Sequence, residues 1–300
     1  MKQSTRRIKL SSNLSTSKTL DTLVDDIYKK LKPLDLYQPL ELSDEDIDRT
    51  TEDFKQALIG WARPSKHNVG FSVRMSNIGK PARQLWYEKQ AVNKSSNFEP
   101  SNHIRFLYGH VLEAVVLMLV RLAGHKVTDE QKEVKVNGIK GHIDCKINGE
   151  IVDVKSASGF GFRKFQAGDL AKDDPFGYLA QLASYEAAEG TENGGFLVIS
   201  KESGELCLYR PEDMEKPNAP ILIDNLKKDL DKDTPPPFCA EPVPEGTKGN
   251  MKLARICTYC NFKFECHKDS NNGVGLRTFK YSKGPVYLTT VEALPKVAEL

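Results

Sequence analysis

At 300 residues the chain can hold one large domain or a core with appendages, and its 39% hydrophobic and 28% charged residues suit a packed, water-soluble protein. The formal net charge of +2 gives no whole-chain sign of a nucleic-acid binder, although charge gathered locally can still serve one. The longest apolar run, AVVLMLV at 114–120, is far too short to cross a bilayer, and the opening MKQSTRRIKLSSN has no apolar segment of a secretory leader.

In chain order, residues 1–20 are rich in Ser, Thr and Lys and read as a loose tail. DTLVDDIYKKL and SDEDIDRTTEDFKQALIGW, between 21 and 62, predict short helices. A third should start near Lys80, where Pro81 suits a first turn. HIRFLYGHVLEAVVLMLVRLAGH, 103–125, is the longest helical signal. It is apolar around most of its circumference, which predicts burial, and Gly124 is a natural terminator. QKEVKV, IKGHIDCKI and EIVDVKSA then predict three strands, the last two joined by an Asn148-Gly149 hairpin turn. DPFGYLAQLASYEAAEG, 174–190, predicts a further helix, and GGFLVISK with GELCLYR a second strand pair. Helix, three strands, helix, two strands implies an α/β fold with a mixed central sheet against helices. From about 211 Pro and charge dominate, and an appendage is expected after about 230, ending in a short tail that contains GPVYLTTVE.

The hairpin raises a chemical question. Counting back from the turn sets Asp144 opposite Asp153, and Lys155, two residues on, shares Asp153's face. Like charges standing opposite each other are destabilising. Either they are solvated and bridged by Lys155, or a divalent cation compensates them, since carboxylates are the ligands that Mg²⁺ and Mn²⁺ prefer. The apolar flanks favour the metal. Glu113 interrupts the apolar helix and is costly there without a partner. His110, three residues earlier, shares its face as a ligand candidate or as a core histidine bonded to Glu113. Gln181 and Tyr185, four apart, occupy one face of the later helix, as an ordinary boundary pair or as a contact to phosphate or backbone.

Six cysteines are present, and Cys239, Cys257, Cys260 and Cys266 lie within 28 residues. That crowding suits a metal or cluster in a reducing compartment better than a disulfide framework. Four thiolates can hold a [4Fe–4S] cluster or tetrahedral zinc, and spacing does not separate the two. His267 is a weaker fourth-ligand candidate. Cys145 and Cys207 read as buried small residues. Between 247 and 283, eight Lys or Arg stand against two Asp or Glu, with Phe262, Phe264 and Phe279 interspersed. Such a stretch suits a phosphodiester backbone, and Lys80, Arg83 and Lys164 are candidates to extend it.

Taken together, Glu113, Asp144, Asp153-Val154-Lys155 and Gln181-Leu-Ala-Ser-Tyr185 resemble the RecB-type branch of the PD-(D/E)XK nucleases. The likeness runs over roughly 76–270. It implies metal bound by Glu113, Asp144, Asp153 and the Val154 carbonyl, with Lys155 assisting water attack and Gln181 and Tyr185 beside the DNA path. The family histidine often lies four residues before the glutamate, whereas His110 is three before. ICTYCNFKFEC is similar to the C-terminal cysteine triple of the iron–sulfur nucleases, including AddB-type subunits and the exonucleases of CRISPR adaptation. There the fourth cysteine lies upstream of the core. Pro81 stands at that place here, and Cys239 is its replacement.

The resemblance therefore implies a nuclease core at 76–230 between an N-terminal helical region (1–75) and a Cys-rich appendage and tail (231–300). It implies one or two Mg²⁺ or Mn²⁺ ions, a [4Fe–4S] cluster or structural Zn²⁺, and DNA exonuclease activity in recombination, repair or replication, as in related phage enzymes. The alternatives are a structure-selective endonuclease and a non-catalytic DNA-binding module. No Gly-Lys-Ser/Thr phosphate loop is present, so any helicase or recombination partner is a separate chain. The setting implied is cytoplasmic, that of the host if the chain is phage-encoded, with no membrane partner.

Overall fold

The computed structural model describes residues 18–63, 71–91 and 100–300. The tail expected over 1–20 lies outside these as far as residue 17, and the expectation fails at Leu20, which is fully buried. Helix α1 (Leu23–Leu31) presents Leu23 and Ile27, four apart, to the core. Helix α2 (Asp44–Ala62) starts where the Ser43 hydroxyl accepts the Asp46 N–H. Helix α3 (Ala82–Gln90) follows Pro81, and α4 spans Pro100–Leu122. As a whole, α4 is long and apolar enough to pass as a membrane segment by length and composition, which the short central run did not suggest. Within the fold its Val116, Leu117 and Val120 pack into the core.

The strands β1 (Val127–Thr128), β2 (Glu133–Val136), β3 (Ile139–His142), β4 (Cys145–Ile147) and β5 (Glu150–Ala157) follow. Next come α5 (Gly159–Gln166), α6 (Tyr178–Glu189), β6 (Gly195–Ser200), β7 (Leu206–Tyr209) and α7 (Ala219–Leu230). The central sheet has the order β1-β4-β5-β6-β7. Only the β5–β6 pair is parallel, with α5 and α6 in the crossover. The sheet is thus mixed and flanked by helices, as expected. Alternation along the strands divides the core in two. Val152, Val154, Leu197 and Ile199 meet α1 and α4 on one face. Ile151, Phe196 and Val198 meet α3, α5, α6 and α7 on the other.

Three expectations need correction. IKGHIDCKI is not one strand: β3 pairs with β2 in a separate ribbon, and β4 pairs with β5. The break falls at Ile143-Asp144, where the chain passes from one sheet to the other. Helices α5 and α7 were not foreseen. α5 is capped by Ser158 and α7 by Asn218, with Pro220 in the first turn of α7. The C-terminal stretch is also no tail. It forms β8 (Val243–Pro244), β9 (Met251–Lys252), β10 (Arg277–Tyr281) and β11 (Gly284–Thr290), a second sheet in the order β10-β11-β9-β8. Two short turns, α8 (Arg255–Thr258) and α9 (Lys263–Cys266), carry Cys257 and Cys266, with Cys260 between them and Cys239 before β8.

Candidate functional site

The turn forms as the sequence requires, with Asn148 and Gly149 both at positive φ (53° and 91°). The register pairs Ile147 with Glu150 and Cys145 with Val152. One step further along, Asp144 comes opposite Asp153. Its Oδ2 accepts the Val154 N–H at 2.8 Å. Ile151, Asp153 and Lys155 share the face of β5 turned to α6. Asp153 is only 1% exposed. Its carboxylate is ion-paired with the Lys155 ammonium, yet neither oxygen has a well-formed hydrogen bond.

Glu113 reaches this group from α4, its Oε1 accepting from Gln131 Nε2 at 3.0 Å. Burial, and then the Asp153 charge, push its carboxyl up to about 7. Asp144 is pushed well above the carboxylate range by burial and by the charges of Asp153 and Glu113. Burial works against the Lys155 ammonium, but the attraction of Asp153 and Asp144 outweighs it and holds that pKa above the ordinary lysine value. Three carboxylates therefore crowd one ammonium in a poorly solvated place, and Asp144 and Glu113 resist ionising there. Oxygen donors, two of them buried and without hydrogen bonds, are the set a hard divalent cation takes. Among the described residues no three His, Cys, Asp or Glu side chains stand in ready-made coordination geometry. Lys155 is drawn onto Asp153, and Asp144 onto a backbone N–H.

Helix α6 closes the site from the other side. Gln181 Nε2 donates to the Tyr185 hydroxyl at 2.7 Å. Tyr185 is 2% exposed, and burial and the Asp153 charge raise its pKa. It holds Gln181 in place more than it meets solvent. Gly177, at φ +72°, lies so near Gly79 that a Cβ would come within 2.3 Å of the Gly79 Cα, which fixes where α6 begins. His110 lies exposed on α4, one turn before Glu113.

Sequence reasoning missed two residues here. Gln131 had no pattern to mark it. Tyr178 did: it precedes Gln181 and Tyr185 by three and seven residues on one helical face, and its ring lies 5.0 Å below Lys155 Nζ.

The cysteines form a second centre. Cys239, Cys257, Cys260 and Cys266 line one cavity with Arg83 and His267, enclosing ≈ 270 Å³ of atom-free space, part of it open to solvent. Burial and the neighbouring thiols push Cys257 up to about 11 and raise Cys239. Four thiols lining one cavity, and a buried His267 whose Nε2 has no hydrogen-bond partner, are the donor types that zinc or a cluster takes, although they too are not in ready-made coordination geometry. Arg83, expected as a candidate to extend a basic groove, is turned into this cavity. Its Nε donates to Cys266 Sγ at 3.0 Å, and its guanidinium stacks 4.2 Å from the Phe238 ring. Other expected cations are engaged: Lys80 with Glu88, Lys164 with Asp173 and Arg277 with Glu299. Phe279 is buried in the second sheet.

No protein-family model matches the chain, and no curated protein matches it in sequence. Among solved structures it is similar to the crystal structure of SSO0001 (TM-score 0.38, 17% identity, 71% of this chain and 93% of that one). It is also similar to an alkaline exonuclease, LHK-Exo, from Laribacter hongkongensis (0.37, 13%, 55% and 92%). The same enzyme in complex with dAMP gives 0.34, 13%, 53% and 89%. These likenesses are too slight to carry an argument, and function is read from the site itself.

Proposed function

We propose that this protein is a metal-dependent deoxyribonuclease with a PD-(D/E)XK core that degrades DNA from its ends. The observation that carries the reading is Asp153, a buried carboxylate without a well-formed hydrogen bond, set against Asp144, Glu113 and Lys155. A fold keeps so costly a cluster where a cation and a phosphate are to be met. Glu113, Asp144 and Asp153, with the Val154 carbonyl, would hold one or two Mg²⁺ or Mn²⁺ ions. Such ions lower the pKa of bound water and offset charge on the reacting phosphate. Lys155 presents its ammonium to the attacking water and to the charge that develops on the phosphate. Gln181, held by Tyr185, offers an amide to the backbone beside it. The four cysteines bind a [4Fe–4S] cluster or zinc that fastens the C-terminal sheet to the core. Action from ends follows the sequence resemblance, with unwinding left to a separate chain.

The test is digestion of end-labelled linear and closed-circular DNA in a Mg²⁺ and Mn²⁺ titration, after anaerobic purification. Wild-type protein should consume linear DNA and spare circles. Asp153→Ala and Lys155→Ala should fold and lose on the order of 10²–10³-fold or more in rate. Wild-type turnover by both variants would remove the assignment. Cutting of circles would replace the exonuclease with an endonuclease.

A further inference from the structure

Two exposed phenylalanines flank the reacting groups. Phe176 is 65% exposed, and its ring stacks on Tyr178 at 5.4 Å and 29°. Tyr178 in turn lies 5.0 Å from Lys155 Nζ. Phe160, 51% exposed, sits just past the end of β5, five residues beyond Lys155. Lys164 Nζ and the Arg255 guanidinium each lie 5.2 Å from its ring. Lys164 also bonds Asp173, three residues before Phe176. Contacts thus join Phe160, Lys164 and Asp173 in one set and Phe176, Tyr178 and Lys155 in another, and the chain from Asp173 to Phe176 links the two.

Single exposed apolar side chains are ordinary. Two aromatic rings interleaved with cations and ending on a lysine beside buried acids form a graded surface. Phosphates find Lys155 and Arg255, Lys164 being held by Asp173, and flat apolar faces find the rings. In a duplex the base faces are covered by their neighbours, so only unpaired bases can use the rings.

We infer that Phe176 and Phe160 form a base-stacking platform that selects single-stranded DNA, or the unpaired end of a duplex, and places its backbone at Lys155. This rests on the nuclease reading, whose substrate class it narrows. It is tested by anisotropy in EDTA with three labelled probes: oligothymidylate, a base-free oligomer of the same length and a blunt duplex. Oligothymidylate should bind tightest. Phe176→Leu and Phe160→Leu, which keep the apolar side chain and remove the ring, should each weaken it by about five- to a hundred-fold. They should leave the base-free oligomer unchanged, and Phe176→Trp should restore binding. Equal affinity for the thymidylate and base-free oligomers, or leucine variants that bind as wild type does, overturns the platform. Those results leave the nuclease intact if linear DNA is still cut. Ring-dependent binding by a protein that cuts no DNA would keep the platform and remove the nuclease.

Discussion

Asp144 is held by a hydrogen bond that an amide can also make, since its Oδ2 accepts from Val154 N–H and an asparagine oxygen accepts equally well. Asp144→Asn therefore keeps the bond and removes repulsion with Asp153 and Glu113. In EDTA its melting temperature should match or exceed wild type, and Mg²⁺ should no longer raise it. Destabilisation in EDTA would mean that the carboxylate is satisfied as it stands. Glu113 gives a related result in pH. Its folded pKa of about 7 lies above the ordinary glutamate value of 4.5, so the folded state binds more protons across that interval. Stability associated with this group is present below about pH 4.5 and is lost as pH rises through 7. Urea midpoints in EDTA should fall between pH 5 and pH 8, and Glu113→Gln should flatten that fall. Saturating Mg²⁺ should oppose it, by binding the ionised folded form.

At the scale of elements, the β4–β5 hairpin was legible because a two-residue turn fixes register, and register fixes which side chains face each other. The break between β3 and β4 was not legible. The apolar alternation of IKGHIDCKI runs through it, while the backbone keeps the β2 side as far as Asp144, with Ile143 N–H going to Lys132 O and Asp144 O accepting Gln131 N–H, and pairs with β5 from Cys145 on. Helix α5 was hidden by the glycines of GFGFRKFQ. Helix α7 was hidden by a Pro-and-charge composition that masked Ile223, Leu226 and Leu230 as one buried face. The start of α6 depended on a backbone contact between Gly79 and Gly177, nearly a hundred residues apart, which no local pattern records. Gly177→Ala would add both a Cβ clash and a strained left-handed backbone. It should cost at least about 2 kcal/mol in denaturant unfolding. It should also lower activity by displacing Tyr178 and Gln181. A wild-type melting curve would show that the two segments part readily.

Over the whole molecule, the two centres meet through a single turn of chain. Helix α8 carries Cys257 into the cysteine cavity and Arg255 onto Phe160, two residues apart. Arg83 reaches from α3 of the core into the same cavity and also bonds Pro236 O. On the proposed reading, a metal or cluster there would fasten the C-terminal sheet and also set where Arg255 stands beside Phe160. Losing it should act on DNA binding and leave the carboxylate site unchanged. Cys257→Ser should lose iron or zinc by elemental analysis and weaken oligothymidylate binding at least as much as Arg255→Gln does. The Mg²⁺-induced rise in melting temperature at the Asp144–Asp153 cluster should stay that of wild type. A Cys257→Ser protein that lost its metal and kept full DNA affinity would show that Arg255 is held by packing alone, and would separate the two centres.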